Sequence, residues 1–179
     1  MTDITRPASG EFNPYYEKYI EQVPPGDVRL ILRVQLADTI ALLRPLTDQQ
    51  AAFRYAPGKW SVKQTVGHII DIERVMTYRA LRVARADATP LPGFDENAFA
   101  ENAGSDARSL QSLLGELEAV RQGTAAFFQH LPDDAWTRVG TANNSPISVR
   151  ALAYIIAGHE LHHREILQSR YLPVLPLPV

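Results

Sequence analysis

The stretch GHELHHREIL, residues 158–167, lies within a longer segment, about 148–170, whose apolar residues recur with the period of an α-helix. On a wheel of about 100° per residue centred on His159, the side chains of Leu152, Ile155, Ile156, His163 and Ile166 all fall within about 60° of it. Arg150, Arg164 and Gln168 fall on the opposite side. Two imidazoles therefore occupy the middle of a stripe built for burial, with His162 at its edge and Glu160 outside it. A buried imidazole needs a polar partner. The helix can settle only into a fold that brings one to it.

A second segment supplies a match. His68, Ile72 and Met76 form an i, i+4, i+8 row on a predicted helix that starts at Ser61, where Ser61 and Gln64 make a capping-box pattern, and runs to about Ala86. With SVK (61–63) aligned on SVR (148–150), His68 falls on the same helical face as His159 and His163. If the two helices are neighbours, three imidazoles point into one space. Separately each would need its own partner inside hydrocarbon, whereas one divalent cation satisfies all three. The chain has no cysteine, which excludes thiolate metal sites, disulfides and cysteine nucleophiles. Imidazole ligation suits Zn, Ni, Fe and Cu alike, and a divalent ion, Zn or Ni first, is the expected cofactor.

His159, Glu160 and His163 also spell H-E-x-x-H, the zinc-protease pattern in which the glutamate is the general base. That site needs a third ligand downstream. Here Ile166 and Ser169 stand where the long form has glycine and histidine, and the only later acid is Glu165, on the outer side of the same helix. The third ligand has to come from upstream, from His68, and peptidase activity is not expected.

Two further segments, about 27–46 and 105–130, carry helical periodicity, the first with Leu30, Val34, Ile40 and Leu43 among its apolar positions. No segment alternates with period two, so strands are confined to short pieces in the loops. The prediction is an all-α, four-helix up-down bundle forming a single domain over 1–179, with its core at about 27–170, an N-terminal extension and a proline-rich tail. LTDQQAAFRYAPGKWSVKQTVGHIIDIE and LPDDAWTRVGTANNSPISVRALAYIIAGHE share an order of parts, which suggests two similar helical hairpins or convergent capping chemistry. A net charge of −2 argues against nucleic acid as a partner. The basic stripe Arg74, Arg79, Arg82 and Arg85, interleaved with Asp71, Glu73 and Asp87, reads as a solvated helix face. No apolar run is long enough to span a membrane and no secretory leader is evident, so a cytoplasmic location is expected.

With His68 in WSVKQTVGHIIDIE and His159 and His163 in AGHELHHREIL, and with the loop segments PGKWSVKQ and GFDEN, the chain resembles the DinB-like four-helix family. That family includes the YfiT-type metal-dependent hydrolases, bacillithiol transferases and, more distantly, mycothiol-dependent enzymes. The resemblance implies metal ligands at His68, His159 and His163, His162 as a non-ligand neighbour, and a homodimer. The expected activity is metal-dependent: transfer of a small thiol to an electrophile, or hydrolysis by water on the metal, acting on a small-molecule substrate. The rival reading is a non-enzymatic metal- or ligand-binding bundle. Asp95, Glu96 and Glu160 are the candidate catalytic carboxylates. The loop at 91–102 reads either as a rim over the metal or as a segment that packs Phe94 and Phe99 and caps a short helix, the latter preferred. Trp60 reads more as a core anchor than a pocket wall, Trp136 as core, and His130 as a helix C-terminal residue.

Overall fold

The helix starts expected near Asp27, Ser61 and Ser148 do begin helices, whereas the third long helix starts at Leu110 rather than near 105, because Ser105–Ala107 form a separate 3-10 turn. In the computed structural model, which describes residues 4–176, Asp27 caps α2 (Val28–Leu43), Thr47 caps α3 (Asp48–Ala51) and Ser61 caps α4 (Val62–Ala84) through a full capping box with Gln64. Asp95 caps α5 (Glu96–Asn102), Ser109 caps α6 (Leu110–Gln129) and Ser148 caps α7 (Val149–Ile166). A short α1 (Glu17–Ile20) precedes them. Between α6 and α7 lies an antiparallel hairpin, β1 (Val139–Ala142) and β2 (Ser145–Ser148). Its turn residues Asn143 and Asn144 both take positive φ, 48° and 58°, as a two-residue hairpin turn requires. No helix among the described residues is long and apolar enough to cross a membrane.

The four long helices form a four-helix bundle. α4 packs on α7 and α6, and α2 packs on the same two. Neighbours therefore follow the cyclic order α2–α6–α4–α7, which puts α2 and α4 across a diagonal. Two connections, those carrying α3 and the hairpin, cross the diagonals from α2 to α4 and from α6 to α7, while the one carrying α5 joins the adjacent α4 and α6.

Two apolar clusters fill the bundle. One joins Val28 and Leu32 of α2 to Met76 and Ala80 of α4, Leu152 and Ile155 of α7, and Trp136. The other joins Leu36 and Leu43 to Val66 and Ile69 of α4, Leu113 and Leu117 of α6, and Leu167. Buried polar side chains occupy the level between them: Gln35 and Thr39 of α2, His68 and Glu73 of α4, Arg121 of α6, and His159, Glu160 and His163 of α7.

Three expectations are corrected here. Leu30 and Val34 lie on the solvent side of α2, whose inward face is Val28, Leu32, Gln35, Leu36, Thr39, Ile40 and Leu43. Arg79 does not belong to a solvated face: it is only 3 % exposed. Glu160, placed outside the buried stripe by the helical wheel, is 1 % exposed, because every residue of α7 from Ala151 to Glu160 is enclosed by neighbouring elements. Trp136 is core, as expected, and His130 is the exposed C-cap of α6.

Candidate metal centre

His68 is carried by α4, and His159 and His163, one turn apart, by α7; the packing of these two helices brings all three together. The Nε2 atoms of His68 and His163 lie 3.0 and 3.1 Å from Nε2 of His159, and one ring nitrogen from each residue falls within 4.8 Å of the others. All three residues are buried. Burial pulls the His68 imidazole down to about 4, and holds His159 and His163 well below the ordinary range, helped by neighbouring imidazoles. The cluster is thus neutral at physiological pH.

This geometry cannot be satisfied by hydrogen bonds alone. A ring nitrogen offers one in-plane position, either a proton or a lone pair. Nε2 of His159 faces two other Nε2 atoms and can bond to only one. A cation among the three would accept a lone pair from each. Tetrahedral ligands about 2.0–2.1 Å from a zinc ion stand about 3.3 Å apart, close to the 3.0 and 3.1 Å that separate His159 from His68 and His163. The residues fit an ion.

The histidines are enclosed by aromatic walls. The Trp60 ring packs on His68, with centroids 4.6 Å apart, and lies 6.4 Å from His163. Tyr171, in the π-helical turn Leu167–Tyr171 that continues α7, donates to the Trp60 carbonyl at 2.7 Å and anchors that loop. Trp60 is therefore a site wall rather than a core anchor, half-exposed beside a cavity of about 250 Å³ that reaches His163. On the other side, the Tyr19 ring lies 5.3 Å from His159 and 5.2 Å from His162. A second cavity, of about 260 Å³, opens there onto His159 between Tyr16, Tyr19, Met76 and Arg79. A larger cavity, about 540 Å³ between α2 and α6, includes none of the three histidines.

Two glycines let these walls close in. A Cβ on Gly158 would lie 1.9 Å from the carbonyl oxygen of Tyr19, and a Cβ on Gly67 would lie 2.2 Å from Oγ of Ser105. Each directly precedes a clustered histidine. Their absent side chains admit the α1 backbone and the segment before α6 against the two histidine-bearing helices.

The candidate carboxylates lie elsewhere. Asp95 accepts from the backbone N–H of Asn97 and Ala98 as the cap of α5, and Phe94 packs on Phe99 at 4.8 Å, in accord with the capping reading of that loop. Glu96 is exposed on the rim of the cavity that reaches His159. Glu160 is held by Arg121 at 2.7 Å, by Thr39 at 2.6 Å and by Gln35 at 2.5 Å, while Arg121 also makes two 2.8 Å contacts with Glu73. Burial works against the Arg121 guanidinium, but the two carboxylates hold its proton more firmly than usual. Among the described residues no carboxylate joins the histidine cluster. His162, half-buried, has its Nδ1 3.5 Å from Nε2 of Gln22. The tyrosines of NPYYEKYI lie in the N-terminal extension, and their i, i+3 and i, i+4 spacing is the one sequence signal that they share a helical face.

A helical bundle with three convergent imidazoles in its polar layer is the class that fold and site define. The sequence model of the DinB superfamily matches residues 31–167, and the chain belongs to that superfamily. It is 27 % identical over 120 residues, 66 % of this chain and 68 % of the relative, to the protein of Oceanobacillus iheyensis named Putative metal-dependent hydrolase OB0413. Its fold is similar to that of YfiT from Bacillus subtilis, described as a probable metal-dependent hydrolase with an unusual four-helix bundle topology. The TM-score is 0.70 at 19 % identity, over 92 % of this chain and 90 % of that one.

Proposed function

We propose that the protein is a metal-dependent enzyme acting on a small molecule, in which His68, His159 and His163 hold one divalent ion, Zn or Ni. The observation that carries this reading is the convergence of three buried Nε2 atoms that hydrogen bonds alone cannot satisfy. When bound by three neutral imidazoles, such an ion keeps its full charge and an open position, where it either activates water for hydrolysis or holds a substrate thiolate. Burial keeps the three imidazoles deprotonated and ready to ligate. Tyr19 and Trp60 flank the two approaches, and the cavity beside His159 admits a small substrate. Hydrolysis is the first reading, supported by the names of the relatives. Transfer of a low-molecular-weight thiol is the second, supported by a histidine cluster that no carboxylate among the described residues joins as general base. The resemblance to thiol-using members of the family also supports a homodimer.

The test is elemental analysis of untagged protein, followed by assay of ester and amide hydrolysis and of thiol transfer to a generic electrophile. About one ion per chain, with activity lost in His68→Ala, supports the reading. Metal that is sub-stoichiometric and cannot be restored by Zn or Ni overturns it.

A further inference from the structure

Arg79 is an unexplained charge. It is almost completely buried, yet it lies within ion-pair distance of no carboxylate among the described residues. Its Nη2 donates to the carbonyl of Pro92 at 2.8 Å, its Nη1 lies 3.7 Å from Sδ of Met76, and the guanidinium stands 5.6 Å from the Phe94 ring centre. Tyr16 is a further neutral hydrogen-bond neighbour. The other strongly buried arginines have anionic partners: Arg29 pairs with Asp27, and Arg121 with Glu73 and Glu160. A guanidinium does not lose its proton in a protein, so Arg79 carries a positive charge whose direct contacts are all neutral.

That charge lines the cavity that ends at His159, with Ile72, Met76 and Ile155 making its apolar floor and Tyr16 and Tyr19 its wall. His68, Ile72, Met76 and Arg79 follow one another along one face of α4. Met76 stands about 12 Å along the helix axis from His68 at 1.5 Å per residue. The Arg79 backbone stands about 16 Å along that axis from His68, and its guanidinium reaches back to Met76, at the far side of the aromatic-walled cavity from His159. Glu96 is exposed on the rim and makes no ion pair with it.

We propose that Arg79 is an anion subsite: it binds the carboxylate or phosphate of a small organic substrate whose apolar middle lies between the tyrosines and Met76 and whose reacting end reaches the histidines. This rests on the reading of the histidine cluster as the reacting centre. The cavity of about 260 Å³ has the volume of roughly nine liquid waters at about 30 Å³ each, which suits a one-ring acid rather than a long chain.

The probes are 3-phenylpropionate, 2-phenylethyl phosphate and the neutral 3-phenylpropanamide, titrated calorimetrically into the full chain both as purified and after metal removal by a chelator. At least one anion is expected to bind about tenfold or more tightly than the amide in both forms, as a charge-assisted contact implies. Whichever anion binds more tightly assigns carboxylate or phosphate. Arg79→Gln should abolish the preference while leaving amide binding within about twofold, Arg79→Lys should reduce it severalfold, and Lys18→Gln should leave it intact. Equal binding of anions and amide by the native chain overturns the proposal, as does a preference seen only with metal present, kept in Arg79→Gln, or lost in Lys18→Gln. Should Arg79→Gln fail to fold by circular dichroism, an unchanged preference in Arg79→Lys overturns it equally. Because the metal-free arm does not involve the histidine site, a failed metal reading leaves this result standing.

Discussion

Replacing Gly158 by alanine tests the closeness of α1 to α7. An alanine in mid-helix normally gains up to about 1 kcal/mol over glycine. At position 158 the new methyl would sit 1.9 Å from O, 2.4 Å from C and 3.1 Å from Cα of Tyr19, all backbone atoms that no rotamer change can remove. Ordinary contact begins near 3.4 Å, so α1 must retreat by roughly 1.5 Å, and overpacking of this kind costs about 1–3 kcal/mol, or more where backbone has to move. The net expectation is a loss of about 2 kcal/mol, a fall in Tm of roughly 4–8 °C for a chain of this size. Gly115 and Gly123 of α6 are the internal controls, because an added Cβ at either meets nothing within 4 Å. Gly115→Ala and Gly123→Ala should therefore each raise Tm by roughly 2–4 °C. Circular dichroism melts of the three variants decide the matter. A Gly158→Ala protein that melts at or above the native temperature would refute the packing argument and, with it, the placement of Tyr19 over His159.

His68→Ala, His159→Ala and His163→Ala should each lose bound metal while His162→Ala keeps it, measured by elemental analysis; loss in all four would show that His162 shares the site. Glu160→Gln should leave metal content unchanged yet cost about 1.5–3 kcal/mol in urea unfolding, since it weakens a charged hydrogen-bonded contact to Arg121; retained stability would remove the structural role assigned to Glu160. Neither that variant nor the native protein should cleave casein. Glu11, whose contacts with Arg150, the Ala8 amide and Ser148 outweigh burial, has its carboxyl lowered to about 2 from 4.5. A lowered carboxyl stabilises the fold above its unfolded pKa and loses that contribution as pH falls from about 4.5 to about 2. Stability measured over this window should decline in the native protein and decline less in Glu11→Gln; identical profiles would rule out a stabilising Glu11–Arg150 ion pair.

Periodicity was enough to place the helices and to align His68, His159 and His163, because an imidazole within an apolar stripe conflicts with its surroundings and the conflict is visible in the letters. The caps at Ser61, Asp95 and Ser148 were equally local. Glu160 was not readable in this way. A helical wheel divides one inside from one outside, whereas α7 is covered on nearly every side through its N-terminal two thirds. Arg79 was obscured by its company: Arg74, Arg82 and Arg85 are genuinely near solvent, and alternating charges look solvated. Its phase, three residues beyond Met76 on the His68 row, was the signal that set it apart. Tyr19 reaches His159 through a contact distant in sequence, and Trp60 folds back from the loop before α4 onto His68, which no helical periodicity encodes.

The ionic knot of Glu160, Arg121 and Glu73 works like a key in a shaft. A helix packed only by leucines and alanines can roll about its axis with little change in buried area, and each 10° of roll would swing an imidazole tip by about 1 Å at a radius of roughly 6–7 Å from the axis. Glu160 stands about 100° around α7 from His159 and is fastened to α2 and α6, while Glu73 fastens α4 to the same guanidinium. Rolling either histidine-bearing helix would break charged contacts inside hydrocarbon. The angular setting of the three imidazoles is thereby fixed by the protein before any ligand arrives, and tolerance to metals of different preferred geometry should narrow accordingly.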